Sequence, residues 1–195
     1  MPNPARALSL TLALLISFSF PASATTTHPV QGTNKVLSPS QVETIKFKHK
    51  VERVYKELED FSMTLMILNE QIDLAFDQAN LHQNYAGIQK AYNLALNVEK
   101  QYWTLDSKVN ALYSDAPKHK VNMDSTKLIL SDYYRAVAEY KKAPQAITNF
   151  IQRGKLMPDY LLFETILDNA NSARNEGWVE SNAGYDRFFN EVQNF

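Results

Sequence analysis

Apolar residues in the first half of this chain return at alternating steps of four and three, at Phe47, Val51, Val54, Leu58, Phe61, Leu65, Leu68, Ile72, Ala75 and Ala79. Such steps hold one narrow stripe on one side of a helix, so they predict a single long helix packed in coiled-coil fashion against its neighbours. Ile45, Met63, Met66, Ile67 and Phe76 lie beside the stripe and widen it around its middle, where two partner helices are expected to cover it. The start is marked by Ser38-Pro39-Ser40-Gln41. This is a hydroxyl for the N-cap, a proline suited to the first helical position and a Gln three residues after the cap, together a capping box.

Polar residues at Asn80, His82, Gln83 and Asn84 interrupt the pattern and predict a hairpin. A second periodic run follows at Tyr85, Ile88, Tyr92, Ala95, Val98, Tyr102, Leu105, Val109 and Leu112, and Asp115-Ala116-Pro117 ends it. Lys118-His119-Lys120 then reads as a solvated basic loop. A third helix is expected from Asp124 or Ser125 through Leu130, Tyr133, Val137 and Tyr140. Ile147 and Ile151 stay in phase beyond Pro144, which favours one kinked helix over two. Gly154 suits the residue just past its end, and Pro158 opens a fourth helix that Asn175-Glu176-Gly177 should close. Trp178 and Val179 then fall in a linker, before a short last helix carrying Tyr185, Phe188, Phe189, Val192 and Phe195. No segment alternates with period two. The expected fold is therefore all-α: an elongated bundle of about four main helices plus a short C-terminal helix.

The N-terminal pattern is different. Arg6, an apolar run from Ala7 to Phe20, Pro21 and the small residues of Ala22-Ser23-Ala24 have the form of a cleavable signal peptide over residues 1–24. As a helix that run would span only about 21 Å, short of the roughly 30 Å hydrocarbon core. Residues 25–37 read as a disordered leader and 38–195 as a single helical domain, placed in the periplasm, or secreted, after cleavage following Ala24. The chain has no cysteine, so it carries neither a lipid anchor nor disulfides, which fits a sheltered envelope compartment. Its 20 Lys and Arg nearly balance 21 Asp and Glu, so no bulk charge favours nucleic acid. No second apolar run is long enough to form a stable transmembrane segment.

Motifs for chemistry are sparse. His28, His49, His82 and His119 are scattered without a ligand spacing, and no Glu-x-x-His occurs, so no metal or other cofactor is expected. Asp73 and Asp77 flank the first stripe and read as a solvated face. Gln71-Ile72-Asp73 with Ala75, Ala79 and Asn80 resembles one hairpin of the periplasmic four-helix b-type cytochromes. Haem ligation in that family implies a histidine late in the bundle, and none follows His119. Five glycines supply no phosphate loop or nucleophile elbow, and the acid–base alternative rests on Glu164 and Asp168 alone.

The aromatic residues say more. Adjacent pairs stand at Tyr102-Trp103, Tyr133-Tyr134 and Phe188-Phe189, and helical neighbours point about 100° apart, so one ring of each can enter the core while the other stays at the surface. Trp103, Tyr134 and Trp178 lie off every stripe and are the candidate partner-binding surface. A basic cluster at Lys46, Lys48, His49, Lys50, Arg53 and Lys56 precedes an acidic group on the first helix, a polarity that could orient a partner or an antiparallel second copy. The expected function is that of a non-enzymatic exported protein that binds another protein, as adaptor, inhibitor, chaperone-like factor or secretion accessory. The alternative is a bundle that holds a small ligand or metal, with or without enzymatic activity.

Overall fold

A computed structural model describes the backbone of residues 37–82, 85–153 and 158–193, and their side chains except at 80–82, 85, 149–153, 158–160 and 191–193. The expected signal and the leader up to residue 36, the hairpin residues Gln83 and Asn84, and Gly154 lie outside the described residues. Four long helices follow one another: α1 (Pro39–His82), α2 (Tyr85–Asp115), α3 (Asp124–Arg153) and α4 (Pro158–Gln193). A single 3₁₀ turn, Ala116–His119, links α2 to α3. Among the described residues there is no strand, and no helix is long and apolar enough to cross a membrane.

α1 forms as its pattern dictates. The Ser38 backbone N–H donates to Gln41 Oε1 at 2.8 Å and the Gln41 N–H donates to Ser38 Oγ at 3.3 Å, the reciprocal bonds of a capping box. All ten residues of the four-three stripe are buried. The widening of the stripe is different from expectation: Ile45, Met63 and Ile67 are exposed, and only Phe76 of the proposed flank is in the core. A second seam instead runs Tyr55, Ser62, Asn69, Phe76, one residue per heptad, with Asn69 half-buried; Tyr55, Asn69 and Phe76 meet α4, and Ser62 lies by Tyr133 of α3. Tyr55 packs its ring on Phe188 at 5.8 Å, and Phe76 stacks on Phe163 at 4.4 Å. A polar residue can occupy this seam where it meets a partner, as Asn69 does.

α3 continues through Pro144, as the phase of Ile147 predicts. The missing N–H removes one backbone bond, and the Thr148 hydroxyl donates to the Pro144 carbonyl at 3.1 Å. The largest difference from the sequence expectation is in α4. The fourth helix and the short terminal one are a single helix, and Trp178 and Val179 stand inside it rather than in a linker. Gly177 and Gly184 are not terminators. A Cβ at Gly177 would lie 2.5 Å from Tyr133 Cε1, and one at Gly184 would lie 2.9 Å from Ser125 Cβ. These glycines let α4 approach α3, and the α3–α4 pair makes the most extensive contact in the bundle.

The α2–α3 connection is less solvated than a basic loop would be. His119 stacks on Phe47 with ring centroids 4.3 Å apart, and its Nδ1 lies 3.4 Å from Thr44 Oγ1, which ties the turn to the start of α1. Lys120 completes the turn in the left-handed region at φ 55°.

Two polar features lie in the core. The Tyr140 hydroxyl donates to Asn171 Oδ1 at 2.8 Å, and Asn171 Nδ2 donates to Asn69 Oδ1 at 3.1 Å, so one relay joins α3, α4 and α1. Tyr133 is fully buried against Phe61, and its hydroxyl has no hydrogen-bond partner among the described residues. Ser62 acts to favour the phenolate, against the larger effect of burial, but the two hydroxyls make no hydrogen bond. Burial pushes both phenols up to about 12.

Candidate functional site

Each adjacent aromatic pair divides as helix geometry requires. Tyr102, Tyr133 and Phe188 are buried, whereas Trp103 is 49% exposed, Tyr134 47% and Phe189 43%. Tyr102 sits on α2 in the step pattern of Val98, Leu105 and Val109, so Trp103 is carried one residue round toward α3. Tyr133 likewise anchors α3 in the core and turns Tyr134 toward α2. The two exposed rings meet across the α2–α3 seam with centroids 5.8 Å apart. Tyr102 lies beneath both, 5.1 Å from Trp103 and 5.6 Å from Tyr134. Three rings at these separations and tilts form a packed cluster whose outer two faces solvent.

Burial, helped by Asp106 and Tyr134, raises the Tyr102 phenol to about 12, so it is a neutral hydroxyl at any physiological pH. Two turns from Tyr134 toward the α3 C-terminus, Lys141 Nζ donates to both carboxylate oxygens of Glu99 at 2.8 and 2.9 Å, and this bond raises the ammonium's pKa. A depression of about 250 Å³ lies between that ion pair and Tyr134, floored by Val137 and Ala138. A second, of about 220 Å³, continues along the same seam between Tyr92 of α2 and Pro144 and Thr148 of α3. Gln145 lines both, so the seam is one shallow trough with Trp103 and Tyr134 at one end.

Trp178 does not join them. It lies one heptad from both Asn171 and Tyr185, whose side chains face α1, so it stands on the α4–α1 flank, the opposite side of the bundle from α2–α3. It is 46% exposed there. The candidate surface is therefore two residues of the expected three, joined by Tyr102 and the trough beside it. The trough could not be read from α2 or α3 separately, since it exists only in their register.

A larger depression of about 510 Å³ lies between α3 and α4, under exposed Leu128 and Val179. Its charges are already spent on one another. Arg135 Nη1 donates to Asp132 at 3.0 Å and to Glu176 at 3.1 Å, and Arg187 bonds Glu180 and Ser125. Burial, reinforced by Glu176 and Glu180, raises the Asp132 carboxyl against the pull of Arg135. Among the described residues no three His, Asp or Glu side chains converge as a metal would require. Glu164 and Asp168 line neither part of the α2–α3 trough. In comparisons with known proteins, no family model, no curated protein and no solved structure matches this chain.

Proposed function

We propose that this is an exported, non-enzymatic helical protein of the periplasm, or a secreted one, that binds another protein along the α2–α3 seam. Export rests on the sequence pattern of residues 1–24, with Pro21 and Ala22-Ser23-Ala24 at its end. Binding rests on one observation: Trp103 and Tyr134 from two helices are packed together half-exposed over a buried tyrosine, beside a trough with a fixed ion pair. Trp and Tyr carry large contact areas with few rotatable bonds, and such residues dominate the energetics of protein interfaces. Glu99 and Lys141 offer a rim acceptor and donor that orient a polypeptide without a strong net charge.

The ligand-in-bundle alternative has less to draw on. Of the inward polar groups, Asn69, Asn171 and Tyr140 bond one another, and the unpaired Tyr133 hydroxyl belongs to a ring packed on Phe61. The test places a photoreactive residue at Trp103, and as control at Val179 on the α3–α4 side, in the native envelope. A defined crosslinked protein from position 103 and not from 179 supports the reading. The same protein should lose at least about 30-fold in affinity for the Trp103→Ala variant, the loss of an interface hot spot. Equal crosslinking from both positions, or unchanged affinity, refutes it.

A further inference from the structure

The exposed side of α1 carries a pattern of its own. His49, Lys56, Met63, Glu70 and Asp77 follow one another at heptad spacing, all exposed, with Ile67 beside them. Met63 is 51% and Ile67 52% exposed, so the middle of this column is apolar and wet. Its first half is basic and its second acidic. Glu52 and Glu57, which fall among the basic residues, are paired with His49 and Lys108, while Glu59 and Asp60 stand exposed one turn before Met63, at the edge of the apolar middle.

The column is symmetric about Met63. Lys56 and Glu70 lie one heptad to either side of it, and His49 and Asp77 two heptads. We propose that α1 is the contact between two copies of this chain, antiparallel about a twofold axis through Met63. That axis sets Met63 against its own counterpart, Lys56 against Glu70 of the second copy and His49 against Asp77, each contact occurring twice. A parallel arrangement would set Lys56 on Lys56, Glu70 on Glu70 and Asp77 on Asp77, so the charge order selects one orientation. The apolar middle supplies the area that two exposed side chains otherwise leave in water. This face is turned away from the α2–α3 trough, which stays open in the dimer.

The contact is small. From His49 to Asp77 the helix spans about 42 Å, and a face about 10 Å wide gives roughly 400 Å² per copy, half of the ~800 Å² of a standard interface. The dimer is accordingly weak, forming at tens to hundreds of micromolar, on the order of 5–6 kcal/mol. It weakens further as salt screens the outer pairs.

The absence of native cysteine makes the geometry directly testable. Under mild oxidation, Met63→Cys should give a disulfide-linked dimer, whereas Asp77→Cys should not. A mixture of Lys56→Cys and Glu70→Cys chains should yield the mixed dimer in preference to either homodimer. In sedimentation, Glu70→Lys should raise the dissociation constant at least about tenfold, since symmetry breaks two pairs at once, and mixing it with Lys56→Glu chains should restore association. All four sites are exposed, so unchanged thermal melting of each variant excludes misfolding as the cause. Wild-type protein that stays monomeric up to about 1 mM, or Asp77→Cys crosslinking as readily as Met63→Cys, overturns the proposal.

Discussion

Replacing Gly177 by alanine separates the two meanings a glycine can have in a helical chain. The new Cβ would lie 2.5 Å from Cε1 and 2.7 Å from Cδ1 of Tyr133, and 3.3 Å from Asp132 Cβ. Tyr133 is fully buried and held by Phe61, so its ring has no free space to enter. Overpacking of a filled core costs about 1–3 kcal/mol, and the contact here is close enough to draw on the upper part of that range. Against it stands the gain of about 1 kcal/mol that alanine brings over glycine inside a helix. The net expectation is a loss of about 1–2 kcal/mol, read as a lower urea midpoint at constant slope. The decisive measurement is the same substitution in a Tyr133→Leu background. With the ring gone the clash disappears while the helical gain persists, so Gly177→Ala should there stabilise by up to about 1 kcal/mol. A glycine needed for a left-handed helix end would lose stability equally in both backgrounds. That outcome, or stabilisation of the wild-type chain itself, would refute the packing account.

Two other expectations follow from the polar core. Tyr133 and Tyr140 hold their phenol protons to about pH 12, whereas an unfolded tyrosine releases its proton near 10. The folded state then binds more protons than the unfolded one, so stability is intact below pH 10 and falls by about 2–3 kcal/mol per phenol as pH rises toward 12. Tyr133→Phe should remove its share of that alkaline loss and, because its hydroxyl is unpaired, leave neutral stability unchanged or about 1 kcal/mol higher, which urea midpoints at the two pH values check. Asn171→Ala should cost about 2–3 kcal/mol in the same assay, because it strands the Tyr140 hydroxyl and the Asn69 amide together. Tyr140→Phe added to it should recover about 1 kcal/mol.

Much of the fold was legible because the signals are local. The four-three stripe of α1, its capping box and the stop at Asp115 each follow from residues within a few turns of one another. The inside-outside division of the aromatic pairs was legible for the same reason, since it depends only on the angle between helical neighbours. The seam of Tyr55, Ser62, Asn69 and Phe76 was not, because two of its four residues are polar and their place inside depends on what α3 and α4 present to them.

The sequence by itself determined the helical class, the starts of α1 and α3, and that Trp103 and Tyr134 stay outside while their neighbours go inward, because periodicity and capping act along the chain. The tertiary structure alone decided that Gly177 and Gly184 continue α4 rather than end it, since a missing Cβ serves either purpose and only the ring across the gap distinguishes them. It also decided that Trp103 and Tyr134 meet while Trp178 stands apart. Contact between residues on different helices depends on register and on which faces pair, and neither is written in the spacing along one helix.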